Sequence, residues 1–86
     1  MTTNKQVLKF YADSCGPCKM LSKSLDSMYP LPIRVSEVDI ETSPEIAQKY
    51  GIRGVPTMIL LEDGEEIGRM VGYQGDRAVK DFLGVN

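Results

Sequence analysis

Tryptophan and histidine are absent from this sequence, and cysteine occurs only twice, at Cys15 and Cys18. Two thiols without imidazole cannot close a four-ligand structural zinc site unless carboxylates or a second chain complete it, so no metal is expected. Basic residues are not in excess: ten Lys and Arg stand against twelve Asp and Glu, for a net charge of −2. That balance lacks the positive footprint of a nucleic-acid binder. No apolar run approaches the length of a membrane span. The opening Met1-Thr2-Thr3-Asn4-Lys5 lacks the apolar core of a secretory signal. The expected setting is therefore cytoplasmic and reducing, where a disulfide is catalytic rather than structural. A length of 86 residues suits one small domain, 1–86, with a modest core.

What the chain does have is Cys15-Gly16-Pro17-Cys18, set between the apolar run Val7-Leu8-Lys9-Phe10-Tyr11-Ala12 and a helical pattern. Two thiols separated by two residues at a strand-to-helix junction read as a redox dithiol. Gly16 permits a tight turn, and Pro17 suits a first helical turn, where no N–H partner is needed. Cysteines there sit at the positive end of the helix dipole, which favours thiolate over thiol. The pair is not equivalent. Cys18, Leu21, Leu25 and Met28 recur at helical spacing, so the Cys18 sulfur faces inward. Cys15 precedes or opens the first turn and meets solvent, which makes it the nucleophile and Cys18 the resolving thiol.

In order along the chain, Val7–Ala12 reads as a buried strand interrupted by Lys9. Asp13 and Ser14 are candidate caps for a helix ending near Met28, before Pro30 and Pro32. Ile33–Ile40 reads as a second strand broken by Glu37, and Ser43-Pro44-Glu45 as a helix start with Ile46, Ala47 and Tyr50 inward. Met58-Ile59-Leu60-Leu61 and Glu66–Val71 flank the hairpin turn Glu62-Asp63-Gly64-Glu65. Asp76 is a candidate cap for a last helix with Ala78, Val79, Phe82 and Leu83 inward. The methionines read as core filler. The order is β-α-β-α-β-β-α, an α/β chain.

That order, with Cys-Gly-Pro-Cys closing the first strand, resembles the thioredoxin family over almost the whole chain. Lys19 after the dithiol, Tyr50-Gly51-Ile52-Arg53-Gly54-Val55-Pro56-Thr57 and Val71-Gly72 are similar to that family's segments. The resemblance implies the thioredoxin fold: a central four-stranded mixed sheet flanked by three helices, with Pro56 in a cis peptide beside the dithiol. It implies a protein-disulfide oxidoreductase that binds an extended client segment along Gly54, Val55 and Pro56, with Gly72 keeping the groove shallow. Tyr11, Tyr73 and Ser14 would line its rim. It implies no bound cofactor, a thioredoxin-reductase-like electron donor, disulfide-containing client proteins and a monomer.

Four departures stand out. The leading strand and helix of longer family members are not found here. Ser14 and Tyr11 occupy positions where the family commonly has tryptophan. Six positions before Cys15, the family's usual buried aspartate is replaced by Lys9, and the lysine facing it on the neighbouring strand by Glu37. A lysine in a buried strand requires a partner, so Lys9 and Glu37 are expected to pair beneath Cys18. Lys9 would stabilise a thiolate and Glu37 would accept a proton. The plainer reading is that either side chain snorkels to solvent. Glutaredoxin-like use of glutathione and a redox-independent role as a binding subunit are the alternative functions.

Overall fold

The computed structural model describes residues 4–85. Met1, Thr2 and Thr3, which belong to the opening weighed above as a possible signal, and Asn86 lie outside the described residues. Strand β1 (Lys5–Tyr11) leads through α1 (Gly16–Ser27) to β2 (Arg34–Asp39), which returns parallel to it. Helix α2 (Pro44–Lys49) follows, then the antiparallel hairpin β3 (Thr57–Glu62) and β4 (Glu65–Val71), then α3 (Asp76–Leu83). Strand β3 runs antiparallel to β1, so the four-stranded mixed sheet has the order β2-β1-β3-β4. The element order is the one the sequence pattern implies. Among the described residues no helix is long and apolar enough to cross a membrane.

Alternation along β1 divides the core. Val7 packs with Leu21 and Leu25 of α1, Met58, Met70, and Val79 and Leu83 of α3. Phe10 packs on the opposite side with Val38, Ala47, Ile59 and Leu61. Burying each of the larger of these side chains contributes about 1.5–3 kcal/mol, which holds the helices to both faces of the sheet. The hairpin turn forms as its Asp-Gly pair requires, with φ of +51° at Asp63 and +87° at Gly64.

Several element ends differ from the sequence expectation. The N-cap of α1 is Cys15, not Asp13 or Ser14: its backbone is extended and its sulfur accepts the Cys18 N–H. Sulfur takes the place of the oxygen that Ser or Asp would supply. The N-cap of α3 is Gly75, not Asp76, because the Asp76 carboxylate is engaged by Ser24 and Tyr73. Helix α2 starts as expected at Ser43 and Pro44, but six residues give it only a narrow inner face; Ala47 is buried and Ile46 faces solvent. Met58 and Met70 fill the core, whereas Met20 on α1 is 54% exposed.

Candidate functional site: a dithiol at a helix terminus

A short link, residues 12–15, carries the chain from β1 into α1, and the two cysteines occupy that junction joined as a disulfide, with Cα atoms 5.2 Å apart. Cys15 is partly exposed, while Cys18 retains 3% of its surface. The apolar stripe accounts for the difference, since Leu21 and Leu25 on the same helix face are buried with Cys18. Cys15 Sγ accepts the Cys18 backbone N–H at 3.1 Å, one of the free amides that make a helix N-terminus favourable for an anion.

The segment before β3 closes the other side. Cys15 Sγ lies 3.6 Å from the Val55 carbonyl oxygen. The Val55–Pro56 peptide is cis and Pro56 is buried. The Thr57 hydroxyl donates to the Gly54 carbonyl at 2.7 Å, and the Gly72 N–H donates to the Pro56 carbonyl at 2.7 Å, which fixes the loop after β4 against this segment. Gly72 needs its residue type, with φ of +80°. Gly54 does not: its φ is not positive, and a Cβ built on it would meet no atom within 4 Å. Gly16 and Pro17, both exposed, form the first turn of α1, and Ser14 is exposed just before it.

Behind the dithiol, Tyr11, Asp13, Cys18, Lys19, Ser22 and Glu37 line a cavity of about 200 Å³. Tyr11 is half-buried; burial first, then the carboxylates of Asp39, Glu37 and Asp13, raise its phenol above the ordinary 10.0. Lys9 and Glu37 stand opposite each other in the parallel β1–β2 register. They do form an ion pair, with Lys9 Nζ 3.8 Å from Glu37 Oε1, but its members differ sharply in exposure, at 3% and 61% of the side chain. The pair is not enclosed, because β2 is an edge strand and Glu37 reaches past it into solvent. Nor does Lys9 line the Cys18 cavity. It lines a second one of about 330 Å³, and Ser22 and Glu37 border both.

The closest partner of Lys9 is Ser22, whose Oγ accepts from Nζ at 2.5 Å. Sequence reasoning missed Ser22; the available signal was its spacing of four from Cys18 on the helix. It also missed Ser24, buried and donating to Asp76 at 2.6 Å. The Tyr73 hydroxyl donates to the same carboxylate at 2.8 Å while its ring packs on the core. Tyr73 therefore borders a third cavity, with Met20, Lys23, Ser24, Ser27 and Asp76, rather than the one beside Cys18.

Comparison with known proteins identifies the family. The thioredoxin family model matches residues 1–84. A thioredoxin of Chlamydia trachomatis is 43% identical over 70 residues, covering 79% of this chain and 69% of that protein. A thioredoxin of Mycobacterium bovis is 36% identical over 83 residues, covering 92% and 72%. Among solved structures, a mutant thioredoxin from Halobacterium salinarum superposes with a TM-score of 0.84 at 37% identity, covering 93% of this chain and 72% of that one. Oxidised mitochondrial thioredoxin 3 from Saccharomyces cerevisiae gives 0.83 at 34% identity, covering 94% and 77%. With its cysteine pair joined at the head of α1, the chain belongs to the thioredoxin family of thiol–disulfide oxidoreductases.

Proposed function

We propose that residues 1–86 act as one domain, a cytoplasmic monomer that reduces disulfides of client proteins, with Cys15 as nucleophile and Cys18 as resolving thiol. The Cys15 thiolate attacks one client sulfur, and the second client sulfur leaves as a thiolate that takes a proton. Cys18, deprotonated, then attacks Cys15 Sγ; the mixed disulfide breaks and the Cys15–Cys18 disulfide forms. Two electrons and two protons pass to the client. The difference in exposure between the two cysteines carries this reading, since an accessible thiol can capture a client while a buried one can only release it.

Gly16 and Pro17 shape the turn that presents Cys15. The client's extended backbone runs along Gly54, Val55 and Pro56, a form of strand addition. The open space above Gly54 supports that placement, because nothing within the chain itself requires a missing side chain there. Gly72 adjoins that run through its bond to the Pro56 carbonyl and Ser14 is exposed beside the dithiol, whereas Tyr11 and Tyr73, which open onto other cavities, would meet a client only at its margins. Glu37, at the mouth of the Cys18 cavity, receives the Cys18 proton and passes it to solvent, and the Lys9 ammonium contributes positive charge behind it. A thioredoxin-reductase-like enzyme regenerates the dithiol, and no bound cofactor takes part.

Trapping tests the assignment. A Cys18→Ser chain should accumulate mixed disulfides with clients through Cys15, and a Cys15→Ser chain should accumulate almost none. Equal trapping by both variants, or failure of the unmodified chain to speed insulin disulfide reduction, refutes it.

A further inference from the structure

Lys9 poses a question that the ion pair does not answer. A buried ammonium costs several kcal/mol unless it is well partnered. Glu37 lies at 3.8 Å and is 61% exposed, so solvent screens its charge. The Tyr11 ring, with its centroid 5.9 Å from Nζ, adds a weaker attraction. The short contact is Ser22 Oγ at 2.5 Å.

Accepting from a cation polarises the serine hydroxyl, and its own hydrogen becomes a stronger donor. Among the described residues that hydrogen has no protein acceptor: Ser22 takes part in the Lys9 bond as acceptor only. Its position is four residues beyond Cys18 on α1, hence on the same helix face, and both border the cavity of about 200 Å³. The residue that carries this polarised donor thus lines the same solvent-open space as Cys18, whose thiol must lose a proton.

Resting on the assignment of Cys18 as resolving thiol, we infer that Ser22 stabilises the Cys18 thiolate through a hydrogen bond across this cavity, directly or through one water, with Lys9 as the residue that positions it. In the step concerned, the Cys18 S–H proton leaves through the cavity. The thiolate receives the Ser22 O–H bond until it attacks Cys15 Sγ, and the client sulfur departs with the electron pair of the broken disulfide. The other groups of variable charge around Cys18 are Tyr11, Asp13, Lys19 and Glu37 at the cavity wall and Cys15 across the dithiol. Of the groups at that wall, Ser22 alone joins the buried cation by a hydrogen bond.

Single-turnover reaction of the reduced chain with dithionitrobenzoate separates the two thiols. Release of the first aromatic thiolate reports Cys15 attack, and release of the second reports resolution by Cys18. In Ser22→Ala the pH midpoint of the second release should rise by about one unit, with a rate near neutrality about tenfold lower. The first release should stay within about twofold of the unmodified chain. Ser22→Thr, which keeps the hydroxyl, should restore the second release, and Lys9→Met should reproduce the Ser22→Ala shift. A second midpoint that does not move in Ser22→Ala, or an equal shift in both releases, overturns the inference and leaves the roles of the cysteines intact. An unmodified chain with no second release overturns those roles and the inference with them. The Ser22 variants decide the matter even where Lys9→Met does not fold.

Discussion

Ser24 and Asp76 are joined across the fold: the buried Ser24 hydroxyl of α1 donates to Asp76 Oδ1 at the start of α3, 52 residues away, at 2.6 Å. Tyr73 donates to the same oxygen at 2.8 Å, so one carboxylate ties two helices and the loop after β4 together. Removing the inner donor tests the tie. Ser24→Ala should lower stability by about 1–2 kcal/mol, read as a lower urea midpoint with an unchanged denaturant slope. Tyr73→Phe, which leaves the buried bond in place, should cost less.

Acid should weaken the same tie. The hydroxyl of Ser24, then that of Tyr73, holds the Asp76 carboxyl below its ordinary 3.8. A carboxyl depressed in the folded state contributes stability that is full above its unfolded value and is lost as pH falls through the lower folded one. Tyr73 moves the other way: its bond to Asp76, then burial, raise its phenol above 10.0, so its contribution is full below 10.0 and fades as pH rises beyond it. Thermal melts from pH 2 to pH 6 should show Asp76→Asn with a flatter acid limb than the unmodified chain.

These ties mark where the sequence stops being legible. Strands and helix faces follow from local apolar spacing, and the Asp63-Gly64 turn follows from its residue types. Serine carries no hydropathy signal, and the Ser22–Lys9 and Ser24–Asp76 bonds span 13 and 52 residues. Caps were misread for a related reason: Asp76 is a good cap by type, yet long-range partners take its carboxylate, and a neighbouring sulfur does the work expected of Ser14. Charge exchange between Lys9 and Glu37 was readable from position; the exposure of Glu37 was not, because strand order within the sheet decides it.

Filling the space above Gly54 should separate client docking from chemistry. A Gly54→Leu chain should keep its stability within about 1 kcal/mol, since no atom lies within 4 Å of the new Cβ. Its KM for insulin should rise about tenfold, while its rate with dithionitrobenzoate, which has no backbone to dock, should hold. A parallel loss with both substrates would place the client elsewhere.

Arg69 should matter locally rather than globally. Its guanidinium forks onto Glu66 at 2.7 and 2.9 Å and reaches the Tyr50 carbonyl at the end of α2 at 2.8 Å. Such exposed pairs contribute roughly 0–1 kcal/mol, so Arg69→Ala should barely move the melting temperature. Hydrogen exchange should nevertheless quicken at Gly51 and Ile52, whose amides are bonded to the α2 turn that Arg69 clasps.

The hairpin register shift between Leu60 and Leu61 bears on the chain's behaviour in crowded solution. Strand β4 forms one margin of an unclosed sheet, a template on which foreign chains can stack into fibres. Here the shift leaves Ile67 without a cross-strand mate, and Glu65, Glu66 and Arg69 stand along the same rim. An incoming segment would meet an uneven ladder flanked by charge, so the fold keeps an open margin without inviting amyloid-like growth.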